Sequence, residues 1–138
     1  MANALYPKYR DRQLEGSSPV QYLSDTIKLV ALDATYTYDD ADEFLSDIVG
    51  GAAVATSDAF TGKTAVAGVA DADDVTLAAV TGDDIASLVI YKDTGSSATS
   101  PLMVYLDTKT NASPIAITPV GDDVLITWSN GTTKIFRL

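Results

Sequence analysis

The sequence predicts an all-β domain, and three features carry that prediction. The chain has 138 residues, the size of one ordinary domain. Runs rich in Val, Ile, Thr and aromatic residues recur at roughly ten-residue intervals, a spacing typical of sandwiches and barrels. Gly, Pro, Asp and Ser separate these runs, as turn residues do. We therefore expect a single β-sandwich, jelly-roll-like or barrel domain at residues 26–138, with one short helix and an N-terminal arm at residues 1–25.

The arm differs in composition from the rest of the chain. It holds three of the nine basic residues together with several tyrosines, and Pro7 suits the first position of a short helical turn. Terminal segments fray unless something holds them, so two alternatives stay open: a partly ordered terminus, or an arm that orders on a partner. Aromatic residues and Arg are enriched at protein interfaces. The candidate partner-binding residues are Tyr6, Lys8, Tyr9, Arg10 and Arg12.

The elements of the β domain follow in order. Thr26–Leu32 is a β-branched, apolar run and predicts the first strand. Asp40 as N-cap, with Glu43 three residues later, predicts a short helix that ends at the glycine pair 50–51. The YTY segment at residues 36–38 alternates as a strand does, and its tyrosines are further candidates for exposed contact residues. The other predicted strands are residues 52–56, 63–70, 75–80, 85–92, 102–106, 115–118, 124–128 and 133–136.

The last two strands flank a strong turn signal. Asn130-Gly131 between two apolar runs predicts a two-residue type I′ hairpin. Trp128 then lies among Ile and Leu residues, so we expect it in the core rather than on a sugar-binding surface.

Pairs of aspartates precede a predicted strand three times, at residues 73–74, 83–84 and 122–123. Asp favours turns, so the simplest interpretation is a turn signal that recurs with the architecture. A calcium-binding module built from the turns at Asp71–Asp74 and Asp83–Asp84 is an alternative. The EF-hand pattern does not fit the first turn, because Thr76 and Gly82 stand where Gly and an acid are needed.

Composition argues against most chemistries. The chain has 19 acidic and 9 basic residues, a net charge of -10, and neither Cys nor His. The commonest general base, the thiol nucleophile and the usual zinc ligands are therefore missing. Strong acidity argues against a nucleic-acid partner, because phosphate binding needs clustered basic residues. We expect a protein that is not an enzyme, has no cofactor, and binds neither nucleic acid nor membrane.

Several segments resemble a family of small virion structural proteins of tailed bacteriophages. The resemblance spans nearly the whole chain and rests on segments such as NALYPKYR, DTIKLVALD, YTYDDADEFLSDI, VADADDVTLAAVTGD, PLMVYLDT and ITPVGDDVLITWSNGTTKIFRL. None of these is a chemical motif, so no active-site residue is carried over.

The resemblance implies a structural role in the virion. The first expectation is a capsid decoration or cement protein that binds the outside of the major capsid shell and stabilises it. The alternative is a tail, tail-adaptor or receptor-binding, fibre-associated protein. The implied partners are the major capsid protein and neighbouring copies of the chain, as a dimer or trimer. The N-terminus lacks the pattern of a secretory signal, and we expect assembly in the host bacterial cytoplasm and residence in the virion.

Overall fold

The computed structural model describes residues 2–138 and is mainly β, which confirms the predicted fold class. The one α-helix is α1 (Pro7–Glu15), and short 3-10 turns lie at Leu45–Asp47 and Ser97–Thr99. Within residues 2–138, no helix has the length and apolar character needed to cross a membrane. The ten strands are β1 (Ala4–Leu5), β2 (Ile27–Leu32), β3 (Ala53–Thr56), β4 (Thr64–Val66), β5 (Val69–Asp71), β6 (Val75–Leu77), β7 (Ser87–Lys92), β8 (Leu102–Leu106), β9 (Val124–Ile126) and β10 (Phe136–Arg137).

A five-stranded antiparallel sheet in the order β1-β8-β7-β2-β3 is the centre of the molecule. Leu29 lies opposite Ile90, and Ile90 opposite Val104, so these residues share one face of the sheet. Val89 and its neighbours across the sheet occupy the other face, and β7 is buried at five consecutive residues. Burial of both faces explains why the central strands are continuous apolar runs rather than alternating ones.

Two smaller antiparallel sheets, β10-β5-β4 and β6-β9, share one hydrophobic core with the large sheet. The large sheet ends at β1 and β3, which do not pair with each other, so the barrel alternative is wrong. Three open sheets around a common core fit the layered, sandwich-like alternative.

The helix predicted from Asp40 does not form. Only the 3-10 turn Leu45–Asp47 lies there, and the Asp47 carboxylate accepts hydrogen bonds from the backbone N–H groups of Glu43 (2.9 Å) and Phe44 (2.8 Å). Phe44 forms a β-bridge with Pro101. The segment is therefore held by a long-range contact, which overrides the local capping signal.

The predicted hairpin at Asn130-Gly131 is also wrong. Strand β9 pairs with β6, whereas β10 pairs with β5, so the two segments belong to different sheets. The two-residue hairpin is instead Ala67-Gly68, which joins β4 to β5 with φ angles of 52° and 77°. Positive φ at both central residues is the signature of the type I′ turn.

The segment at residues 2–25 is attached to the core, to which it contributes the buried residues Tyr6, Tyr9, Val20 and Tyr22. Strand β1 pairs with β8, and the Tyr6 N–H donates to the Met103 carbonyl at 3.0 Å. Tyr6 and Tyr9 are 0% and 1% exposed. The single turn predicted after Pro7 is a nine-residue helix that ends at Gly16, in the left-handed conformation. Met1 lies outside the described residues.

Candidate docking cleft

A cleft of about 620 Å³ opens between the five-stranded sheet and the C-terminal segment. Its sheet side is apolar, because opposed residues on β1, β7 and β8 present one face: Leu5 with Val104, and Leu88 with Leu106. The C-terminal side contributes buried aromatic and aliphatic side chains, namely Ile126, Trp128, Ile135 and Phe136. We call this space the basic cleft, because four basic residues line it.

The first acidic pair holds Trp128 at the wall of the cleft. The Asp74 carboxylate accepts the Trp128 backbone N–H at 3.0 Å, and the Asp73 carbonyl accepts the indole Nε1–H at 3.0 Å. The Phe60 ring lies 5.7 Å away, centroid to centroid. Trp128 is 8% exposed, which confirms its predicted place in the core. These contacts pair the polar groups of a residue that is otherwise packed in apolar surroundings.

The rim of the cleft is positively charged. Four of the nine basic residues line it, and no Asp or Glu does: Arg10, Lys109, Lys134 and Arg137. Lys134 forms an ion pair with Asp71 at 3.4 Å, and among the described residues the other three form none. A cluster of unpaired basic groups creates a local positive potential, even though the net charge is -10.

The structure separates the five predicted partner-binding residues. Arg10 reaches the cleft and Lys8 is exposed elsewhere. Arg12 is bound internally, because its guanidinium lies 2.6 Å from the Glu43 carboxylate. Tyr6 and Tyr9 are inside the core, so the expectation that they are exposed is wrong. A partner-binding role for the set stays a prediction, and only Lys8 and Arg10 offer unpaired charges for it.

Four tyrosines form an internal cluster on the opposite face of the main sheet from the cleft: Tyr6, Tyr36, Tyr38 and Tyr105. Tyr36 donates its hydroxyl hydrogen to Asp42 at 2.7 Å, so Tyr6, at 2.8 Å, donates to Tyr36. The Tyr38 ring lies 5.0 Å from Tyr6 and 5.2 Å from Tyr105. The expected exposure of Tyr36 is therefore wrong, and Tyr38 is half-buried.

Burial dominates the electrostatics of this cluster. It raises the pKa of Tyr6 far above the ordinary range and the pKa of Tyr38 to about 12. Burial also raises the pKa of Asp42, while the Tyr36 hydrogen bond acts in the opposite direction. The cluster joins the N-terminal segment, through Tyr6, to residues 36–42. The Tyr6 and Tyr36 hydroxyls are both hydrogen-bonded within it.

The two Gly-Asp-Asp turns lie side by side. The Val80 N–H donates to the Asp122 carbonyl at 3.0 Å, and the Gly121 N–H donates to the Val80 carbonyl at 2.8 Å. The Asp123 carboxylate accepts the Ala79 N–H at 2.8 Å. We define the acidic tip as the aspartates of these turns together with the apolar residue beside them: Asp83, Asp84, Val120, Asp122 and Asp123. Across residues 2–138, no group of three or more acidic side chains is arranged to hold a metal ion.

The sequence alone does not indicate the rim of the basic cleft. Lys109 lies in a loop after β8, and Lys134 and Arg137 are near the C-terminus, about one hundred residues from Arg10. The pairings of β1 with β8 and of β10 with β5 bring them to one place. Two basic residues among the last five were the only local signal.

No protein-family model matches the chain, and a search of curated proteins finds no match.

Proposed function

We propose that the chain is a structural protein of a tailed-bacteriophage virion, a decoration or cement protein that binds the outside of the major capsid shell and stabilises it. The resemblance of its segments to small virion proteins supports this proposal. The observation that carries it is the basic cleft, an apolar concave surface on an acidic protein; its rim holds four basic residues, and three of them form no ion pair among residues 2–138. Apolar patches with polar rims are typical of protein docking sites.

The cleft suits binding without rearrangement. Its floor lies on β7 and β8, the strands at the centre of the main sheet, and Trp128 is fixed by two hydrogen bonds. A preformed site loses little conformational entropy when a partner docks. Apolar side chains of a neighbouring protein would cover the floor, and its carboxylates would pair with Arg10, Lys109 and Arg137. A protein that binds only to assembled subunits stabilises the assembled state by mass action.

The acidic remainder of the surface supports the same proposal. A particle that displays many copies of one protein must resist adhesion to other particles. The net charge of -10 provides that resistance through mutual repulsion.

Quantitative mass spectrometry of purified particles tests the virion role, using the phage whose genome encodes the chain. Copy numbers on the order of hundreds agree with decoration of a shell, because shells repeat one subunit many times. About six or twelve copies would favour the tail or tail-adaptor alternative, because tail rings have low cyclic symmetry. Absence of the chain from particles would overturn the proposal.

A rebinding experiment tests the cleft itself. Particles that lack the chain are incubated with the wild-type protein, with the double variant Lys109→Glu/Arg137→Glu, or with Leu14→Glu/Val49→Glu as a control that adds negative charge at exposed positions away from the cleft. We expect the wild type and the control to bind, and occupancy of the double variant to fall at least about tenfold, because reversed rim charges repel an acidic partner. Equal occupancy by all three proteins would contradict docking through the cleft.

A further inference from the structure

We infer that the neighbour seated in the basic cleft is a second copy of this chain, and that the acidic tip is the part that enters. The inference rests on the proposed docking role of the cleft and names the occupant as a neighbouring copy in the layer that decorates the shell, so that the cleft joins copies to one another. It concerns two surfaces of one molecule that are complementary in charge and in apolar character.

The charges of the two surfaces are opposite. The tip carries four aspartates, and within the described residues none of them forms an ion pair with a basic side chain. The cleft carries four basic residues and no acidic one. Opposed patches of this kind fix the orientation of two proteins and exclude partners with the wrong charge.

The apolar parts are also complementary. Val120, at the tip, is 76% exposed, and it precedes Asp122 by two residues in the chain. The cleft offers an apolar floor, and Leu125 at its margin is 62% exposed. Seating Val120 in the cleft would remove both from water while the aspartates meet the basic rim.

The tip is rigid enough to act as an inserting element. Three hydrogen bonds join residues 79–80 to residues 121–123, as described above. Ile85 and Ile117, at the base of the two turns, exchange backbone hydrogen bonds of 2.8 and 3.1 Å. Two surfaces that are both preformed lose little conformational entropy when they associate.

The cleft of the same molecule is out of reach of its own tip. Strand β9 starts at Val124, directly after the tip, and leads through Leu125 to Trp128 in the cleft wall. Asp122 and Leu125 are therefore separated by about 10 Å of extended chain. An extended strand hydrogen-bonded to β6 cannot fold back on itself, so only another copy can place a tip in this cleft.

Sedimentation of the purified full-length chain tests the inference. The work is done at about 0.15 M salt, where a Debye length of about 8 Å damps repulsion between two acidic molecules. We expect the wild type to associate reversibly as its concentration rises. We expect the tip variant Asp84→Lys/Asp122→Lys and the cleft variant Lys109→Glu/Arg137→Glu each to associate at least about tenfold more weakly, because each double substitution cancels the net charge of one of the two complementary surfaces.

Mixing the two variants is the decisive step. The cleft variant keeps an acidic tip and the tip variant keeps a basic cleft, so an equimolar mixture recovers the association that each protein alone has lost. Leu14→Glu/Val49→Glu and Asp11→Lys/Glu15→Lys are the controls, because they add negative or positive charge at exposed positions away from both surfaces. Both controls should associate like the wild type, and circular dichroism checks that every variant is folded.

A thiol at position 125 reports where the contact forms. The chain has no Cys, and Leu125 is 62% exposed at the margin of the cleft, so association through the cleft should protect Leu125→Cys from a thiol reagent. A wild type that stays monomeric, a mixture that does not associate, or association that leaves the thiol of Leu125→Cys equally reactive would overturn the inference. The proposed virion role fails by a different result, absence of the chain from particles.

Discussion

The two ends of the chain are built from similar parts and are held in different ways. Each contains a two-residue strand, β1 or β10, and each places large aromatic side chains in the core. The N-terminal end joins the main sheet, and α1 follows directly from it. The C-terminal end divides its strands between two small sheets, and the basic cleft opens between it and the main sheet.

This difference shows how mixed aromatic and basic composition should be interpreted. Tyr6 and Tyr9 lie three residues apart and face inward, while Lys8 and Arg10 between and beside them face solvent. This arrangement is the first turn of an amphipathic helix. A solvent-exposed docking arm would have the same mixture of aromatic and basic residues. The C-terminal segment carried the stronger local signal, Asn130-Gly131, yet pairing with distant strands decided its structure.

The largest effect should come from deletion of residues 1–15. The deletion removes β1, which pairs with β8, and two buried tyrosines, each of them worth about 3–5 kcal/mol by analogy with other large core residues. That loss is comparable to the whole stability of a domain, so we expect the truncated chain to lose cooperative unfolding in urea and its near-ultraviolet circular dichroism.

The matched control for the deletion is Lys8→Ala/Arg10→Ala. Both side chains are exposed, so stability should stay within about 0.5 kcal/mol of the wild type. A truncated protein with the wild-type urea midpoint would show that the N-terminal end is dispensable. The deletion is therefore a poor test of partner binding, since it removes part of the core.

Tyr6→Phe should have the next largest effect. It removes the hydroxyl that donates to Tyr36 and should lower the free energy of unfolding by about 1–2 kcal/mol at neutral pH. Burial raises the pKa of Tyr6 far above its ordinary value of 10.0, so its contribution is complete below pH 10 and is lost as the pH rises beyond it.

The pH dependence gives this prediction a second measurement. Above pH 10 the wild-type unfolded chain releases one more proton than that of Tyr6→Phe, so wild-type stability should fall more steeply, by about 1.4 kcal/mol per pH unit. Urea unfolding between pH 9 and 11 measures both slopes. Parallel curves would mean that Tyr6 ionises as freely in the folded protein as in the unfolded chain.

A pair of turn variants sharpens the contrast between local signal and structure. Ala67 has a left-handed conformation in the β4–β5 hairpin, so Ala67→Gly should relieve strain and raise stability by about 0.5–1 kcal/mol. Gly131 does not have a positive φ, and a Cβ there would lie 3.1 Å from the Ser129 hydroxyl, which accepts the Gly131 N–H at 3.0 Å. Gly131→Ala should therefore cost no more than about 1 kcal/mol, the worth of this one exposed hydrogen bond.

Thermal unfolding of the two variants distinguishes the turns. If Asn130-Gly131 formed a type I′ turn, Gly131→Ala would cost about 1–2 kcal/mol, the penalty for a Cβ in the left-handed region. A loss of more than about 1 kcal/mol from Gly131→Ala, together with no gain from Ala67→Gly, would reverse the assignment of the hairpin.

The smallest effect should come from Asp93→Asn. Asp93 pairs with Lys28 at 2.7 Å, and its carboxylate also accepts the Gly95 N–H at 2.9 Å. The Lys28 contact lowers the pKa of Asp93, so the stabilisation is present above about pH 4 and is lost as the pH falls through the folded-state value. The expected loss at neutral pH is about 0.2–1 kcal/mol, as for other partly exposed ion pairs.

The free energy of unfolding, measured by urea unfolding at acidic pH, tests this prediction. The difference between the wild type and Asp93→Asn should shrink as the pH falls below about 4, because the wild-type carboxylate also becomes neutral there. Asp11→Asn, at an exposed position on α1, serves as the control and should follow the wild type throughout. A difference that stays constant down to pH 2 would mean that the loss does not come from the charge of Asp93.

The central strands could be predicted from the sequence because burial of both faces leaves a local trace. Runs such as Leu88–Tyr91 are apolar at every position and can be found without knowledge of their partners. The segment at Tyr36–Tyr38 has strand composition but packs as a loop, because its hydroxyls bond to groups elsewhere in the chain. The basic cleft left no such trace, since its rim exists only once distant strands have paired.

The cleft has one more consequence for anyone who handles this protein. Asn3 and Ala4 line it from one end of the chain, and Phe136 and Arg137 line it from the other. A purification tag or a fused reporter at either terminus would therefore emerge close to the cleft and compete with whatever binds there. The exposed loop around Gly95 is the better place to attach a label, because exposed loop tips tolerate insertion and this one does not line the cleft.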